Sequence, residues 1–186
     1  VSGGTIRLYG SASSNGLFDV SAGTVEFYGS TTQIVANGLF ALNRVMNLTV
    51  SNDAGVTLDG PVNVTGIVKV QNGELASGGN LTLISDASGT ALIDGSGSGN
   101  VTGNVTMQRY LPSRFGYRYF SSPFAASTVS EFADDMDLAS SWPLFYRYDE
   151  SRTSSGWIPY VTGSAPLYPF EGYAVNFGSV SDPYTV

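Results

Sequence analysis

The chain has 186 residues, only 12% of them charged, a formal net charge of −7, and neither cysteine nor histidine. The acidic balance excludes the basic stripe that nucleic-acid binding needs. Without Cys or His there are no disulfides, no thiolate metal sites, no cysteine nucleophiles and no imidazole bases.

From the amino end, Gly4-Thr5-Ile6-Arg7-Leu8-Tyr9-Gly10 recurs 19 residues on as Gly23-Thr24-Val25-Glu26-Phe27-Tyr28-Gly29. Asn15-Gly16-Leu17-Phe18 recurs 22 residues on as Asn37-Gly38-Leu39-Phe40. Alternation at period 2 predicts strands with Ile6, Leu8, Val25 and Phe27 on one face. Stacked in register, these strands set Arg7 beside Glu26 on the outer face, an exposed pair worth roughly a few tenths of a kcal/mol.

Five Asn-Xaa-Thr triplets follow, starting at Asn47, Asn63, Asn80, Asn100 and Asn104, the first four spaced by 16, 17 and 20 residues. Each opens a short alternating run. Leu48 and Val50, Val64, Leu81 and Leu83, and Val105 and Met107 continue the inward pattern. Asn15-Gly16, Asn37-Gly38 and Asn72-Gly73 supply turn residues that tolerate positive φ. Coils of roughly 16–23 residues predict a β-solenoid over residues 1–108, with Ile6, Leu8, Val25, Phe27, Leu48, Val50, Leu81 and Leu83 in one apolar column. Asn-Gly also marks hairpins, so an antiparallel meander or sandwich is the rival fold. Unequal repeats and the Gly-rich character favour the solenoid. No apolar run reaches the length of a membrane span, so membrane insertion is not expected. Val1 already lies inside a repeat-like segment, which predicts a piece of a longer polypeptide.

Near Gln108 the composition changes. Residues 1–108 hold 18 of 23 glycines, 5 of 23 aromatics and one proline, whereas residues 109–186 hold 18 aromatics, seven prolines and five glycines. That shift marks a domain boundary. The second half predicts strands at Gln108–Leu111, Tyr117–Ser121, Leu144–Tyr148, Trp157–Tyr160 and Tyr173–Phe177. Glu131–Leu138 is its one predicted helix, capped by Ser130 or Thr128. The expected fold is therefore all-β: a β-solenoid repeat region, then a small aromatic-rich β-sandwich-like domain at 109–186. Tyr184-Thr185-Val186 reads as a strand that should continue, so this domain is expected to be truncated.

Candidate sites each have a plain structural alternative. The triplets match the N-glycosylation pattern, but repetition explains them better: Asn at a coil corner, Thr alternating outward. Asp134, Asp135 and Asp137, with Asp149 and Glu150 downstream, carry oxygen ligands suited to calcium; acidic residues at a helix start account for the first three equally well. No metal or cofactor is assigned. Trp142, Tyr146, Tyr148, Trp157, Tyr160, Tyr168 and Tyr173 suit either a sugar-stacking platform or a small core. Of these, Trp142, Tyr146, Trp157 and Tyr160 are the candidate ligand contacts. For catalysis only paired carboxylates are available, and the adjacent Asp149 and Glu150 would face opposite ways on a strand.

Several segments resemble repeats in large secreted, cell-surface proteins of Bacteroidota. They are Asn47 through Val62, Gly78 through Ser85, and Gly99 through Leu111. In those proteins a stretch like Arg118-Tyr119-Phe120-Ser121-Ser122-Pro123-Phe124 comes next. Elements like Tyr148-Asp149-Glu150-Ser151, Gly156-Trp157 and Glu171-Gly172-Tyr173 follow. The resemblance covers most of the chain from about Thr31. It implies an adhesin-like, extracellular protein of the type IX secretion class, and carries no catalytic residues with it.

Taken together, the sequence predicts a non-enzymatic structural or adhesive module, a spacer or assembly unit. Its partners would be copies of itself or the rest of a parent chain, and surface glycans. The alternative is a carbohydrate-binding module of a surface enzyme. That alternative predicts exposed rings in the second half; the purely structural reading predicts buried ones.

Overall fold

The computed structural model describes residues 2–13 and 18–186. The Asn15-Gly16 turn lies outside the described residues. The chain divides into two compact units, Val1–Tyr110 with Thr185, and Leu111–Tyr184 with Val186. No helix among the described residues is long and apolar enough to cross a membrane.

The first unit is a β-solenoid of about four turns. Its strands are β1 Ser2–Tyr9, β2 Phe18–Gly29, β3 Gln33–Val35, β4 Phe40–Leu58, β5 Val62–Val64, β6 Ile67–Ala76 and β7 Leu81–Leu83. Then come β8 Ser85–Asp86, β9 Gly89–Thr90, β10 Leu92–Asp94, β11 Asn100–Thr102 and β12 Val105–Met107. All pairings among them are parallel except the small β8–β9 hairpin. Parallel stacking of like on like builds three inner ladders. One runs Ile6, Val25, Leu48, Val68, Ile93, and beside it Leu8, Phe27, Val50, Val70. The second runs Gln33, Val56, Leu75, Val101. The third runs Val20, Val45, Val64, Leu83, Met107, with Val62 on Leu81 on Val105. All three point into one core, except that Ile93 at the last rung of the first ladder is exposed. Each buried Val or Leu contributes on the order of 1.5–3 kcal/mol.

The solenoid and its inward alternation stand as the sequence predicts, but two details differ. Leu81 and Leu83 stack on Val62 and Val64, not on Leu48 and Val50. And the Asn-Xaa-Thr spacing is not the coil length. Asn47 starts the first ladder, Asn100 the second, and Asn80 and Asn104 the third. At Asn47 and Asn80 the amide bonds across coils, whereas Asn63 lies in the middle of β5. Asn47 Nδ2 donates to the Gly23 carbonyl at 3.2 Å, and its Oδ1 accepts the Ile67 N–H at 2.9 Å. Asn80 Nδ2 donates to the Leu58 carbonyl at 3.0 Å. Outside, Arg7 and Glu26 are register partners with an ion pair at 2.7 Å, as expected. At the Asn72-Gly73 turn, Gly73 has φ +77 and a Cβ there would lie 1.9 Å from the Asn52 carbonyl oxygen, so only glycine fits.

The second unit holds β14 Tyr117–Phe120, β15 Phe145–Tyr148, β16 Trp157–Pro159 and β17 Tyr173–Asn176, while β13 Tyr110–Leu111 and β18 Tyr184–Thr185 fall at the division. Strand β13 pairs with β18, and an antiparallel sheet runs in the order β14-β17-β15-β16. The predicted helix at Glu131–Leu138 is instead a single 3-10 turn, Val129–Phe132. Its cap is Thr128, whose N–H donates to Glu131 Oε1 at 3.1 Å. Aspartates end it. Asp137 Oδ1 takes the Ala139 N–H at 2.9 Å, a local bond that competes with helix. One sheet face packs Phe145, Tyr173 and Val175 onto Val129, Met136 and Leu167.

Candidate functional site

The other face of this sheet is aromatic and turned to solvent. The register aligns Tyr119, Ala174, Tyr146 and Pro159 across the four strands. Period 2 adds Tyr117 and Asn176, paired with one another, and Tyr148 and Trp157, paired with one another. Their alternates Phe120, Phe145, Tyr173 and Val175 belong to the core on the opposite side.

Small residues on β17 let the rings lie over it. Tyr119 and Trp157 stack at 6.1 Å with planes 24° apart, although their strands are the two edges of the sheet. Tyr117 meets Tyr146 edge-on at 5.8 Å, and Tyr148 meets Trp157 at 5.0 Å. Ala174, on this solvent face, is only 5% exposed, whereas Tyr119 is 77% exposed. Gly156 is required too: a Cβ would lie 2.6 Å from the Tyr148 ring. Burial, and then the neighbouring Tyr117, raise the Tyr146 hydroxyl above the usual phenol range.

An open hollow of about 370 Å³ adjoins this face, lined by Phe115, Tyr117, Leu144, Asn176, Gly178 and their neighbours. Asn176 Oδ1 accepts the Gly178 N–H at 3.1 Å. That bond orients the amide, and among the described residues its Nδ2 donor has no hydrogen-bond partner. Just before β17, the turn Tyr168–Glu171 closes with the Glu171 N–H on the Tyr168 carbonyl at 3.2 Å. Phe170 sits at its third position with φ 65 and is 96% exposed. That position follows Pro169 and normally takes glycine.

Of the four candidate contacts, Tyr146 and Trp157 lie together on this face. Tyr160 does not: it stacks on Tyr173 at 5.6 Å on the core side, its hydroxyl donating to the Pro166 carbonyl at 2.9 Å. Trp142 is 69% exposed but belongs to the segment before β15. Tyr117 and Tyr119 are new. Their alternation in Tyr117-Arg118-Tyr119-Phe120, matched by Tyr146-Arg147-Tyr148, is the signal that finds them. The rings of the second half thus split between core and solvent.

The acidic candidates do not converge. Asp135 accepts the Tyr184 hydroxyl at 3.2 Å, and burial, then Asp134, raise its pKa. Asp137 caps Ala139. Asp149 is held low by Ser151, first through its hydroxyl at 2.7 Å and then its N–H at 3.0 Å. Among the described residues no group of three or more His, Cys, Asp or Glu side chains is placed to hold a metal. Compared with family models, curated proteins and solved structures, the chain matches none.

Proposed function

We propose that this chain is a non-catalytic structural and adhesive module of an extracellular bacterial surface protein. The solenoid is its spacer and the aromatic sheet face is its contact surface. One observation carries the reading: Tyr117, Tyr119, Tyr148 and Trp157 are all exposed large side chains on one sheet face. Amphipathic rings gathered on one exposed sheet face suit contact, having an apolar body and a polar tip.

The solenoid supports the spacer role. Its polar corner residues are engaged coil to coil, by Asn47, Asn52 and Asn80. Its outer charges Arg7, Glu26, Lys69 and Asp94 are tied in ion pairs. Strand β1 stands at one end of the sheet order, an edge that a second copy or a neighbouring coil would complete. Light scattering on the full chain tests that assembly arm: higher oligomers support it, and a monomer at every concentration opposes it.

A second reading, a carbohydrate-binding module, is favoured by the same exposed rings and by the polar tips of the tyrosines. Trp157 reports on it. In a Trp142→Phe variant, Trp157 is the sole tryptophan. A blue shift or quench of its fluorescence on adding a soluble polysaccharide supports a glycan contact. An unchanged spectrum across neutral and acidic polysaccharides removes the carbohydrate reading.

A further inference from the structure

The geometry points to a two-part site for an uncharged polysaccharide: its chain lies over the aromatic rings, and its terminal sugar enters the hollow at Tyr117. This rests on the reading that the aromatic face is the contact surface.

Continuity is the first argument. Tyr117 belongs both to the ring layer, through its edge contact with Tyr146, and to the lining of the hollow. Tyr119, Trp157 and Tyr148 form a second ring group beside that pair, two residues along on strands β14 and β15, so one sheet face leads from Trp157 to the hollow. Size is the second. At about 370 Å³ the hollow falls at the small end of ligand sites, which suits one ring at a chain end rather than a bundle of chains.

Its chemistry is the third argument. Phe115, Tyr117 and Leu144 give apolar walls for the C–H face of a sugar, while the free Nδ2 of Asn176 offers a donor to a ring or hydroxyl oxygen. A site of this kind is mostly apolar with a few placed polar groups.

Charge decides between neutral and acidic sugars. An anionic polymer needs free cations, and two of the four arginines in this unit are paired with carboxylates. Arg114 pairs with Asp182, Arg147 with Glu171, and Arg118 donates to the Ser113 carbonyl. Arg152 follows Asp149 and Glu150 in the loop leading to Trp157. The chain as a whole carries −7. Repulsion therefore selects against uronic-acid polymers and leaves neutral ones.

The test is an NMR titration of the full chain with neutral hexasaccharides of β-1,4-linked glucose, xylose and mannose, beside hexagalacturonate. Ser179→Trp fills the hollow from its exposed rim; Phe115→Ala strips one wall and disturbs no core contact. At least one neutral hexasaccharide is expected to shift amides of residues 116–119, 146–148 and 176–179. Either variant should weaken it about tenfold, with amide dispersion showing both folded. If the hexasaccharide binds both variants as it binds the parent chain, the hollow is not a subsite, and the aromatic-face reading stands. If no neutral hexasaccharide shifts any amide, the two-part site and the carbohydrate reading both fall. Tighter binding of hexagalacturonate overturns the neutral assignment alone.

Discussion

Asn52 donates from its Nδ2 to the Gln33 Oε1 at 2.8 Å inside the solenoid, with both residues 0% exposed. The pair is fully wired. Asn52 Nδ2 also reaches the Thr31 carbonyl at 2.8 Å, and its Oδ1 takes the Ala54 N–H at 3.0 Å. Gln33 Nε2 donates to the Leu8 and Gly10 carbonyls at 2.9 and 2.6 Å. Three successive coils are thereby joined at one corner. A buried amide is costly when unpaired and rigidifying when satisfied, so this network fixes coil register.

Removing Asn52 leaves the Oε1 of the buried Gln33 without its donor. Asn52→Ala is expected to lower the stability of the solenoid by about 3 kcal/mol, the upper range for stranding buried polar groups. Urea denaturation followed by a solenoid probe measures it. With Gln33→Ala in a double-mutant cycle, the two should couple by about 1 kcal/mol or more. Additive losses would mean that the two amides act independently.

Why the sequence disclosed the solenoid but not this corner is physical. Inward alternation is periodic, so Val25, Phe27, Leu48 and Val50 announce themselves in one dimension. Gln33 and Asn52 are 19 residues apart and read as ordinary surface amides until the coils stack. The coil length was masked likewise. Rungs of the first ladder at Ile6, Val25, Leu48, Val68 and Ile93 are unevenly spaced, and the β8–β9 hairpin lengthens the last interval. In the second unit the strands were legible, yet the faces were not assigned. Tyr146 and Tyr160 look alike in composition; strand parity alone sends one to solvent and the other against Tyr173.

Phe170 holds positive φ with a bulky side chain in full solvent. Such a backbone costs an L-residue roughly 1–2 kcal/mol and glycine almost nothing. Phe170→Gly is therefore expected to stabilise the aromatic unit by about 1 kcal/mol, since the extra freedom of glycine in the unfolded chain offsets part of the gain. Thermal unfolding monitored by near-UV circular dichroism checks the sign. An unchanged or lower midpoint would show that the turn is not strained.

Tyr173 should govern the alkaline limit. Burial pushes its hydroxyl up to about 12, the Tyr168 N–H at 3.0 Å opposing this and Glu171 at 2.9 Å adding to it. The folded pKa exceeds the unfolded one, so folding favours the neutral phenol. That stability is complete below about pH 10 and is lost as pH climbs toward 12. In a spectrophotometric titration one tyrosine should ionise late, together with unfolding of this unit. Tyr173→Phe should remove that late step. If the variant keeps it, another group sets the limit.

The most direct measurement of the central claim compares two aromatic pairs on one chain. Tyr119 and Trp157 lie on the proposed contact face; Tyr9 and Tyr28 form an exposed pair on the solenoid, 5.4 Å apart. Retention of the full chain on an insoluble neutral polysaccharide is measured for Tyr119→Ala/Trp157→Ala and for Tyr9→Ala/Tyr28→Ala. The account predicts that the first variant washes through while the second is held like the parent chain. Loss of retention in the solenoid variant, with the sheet-face variant still held, would contradict it.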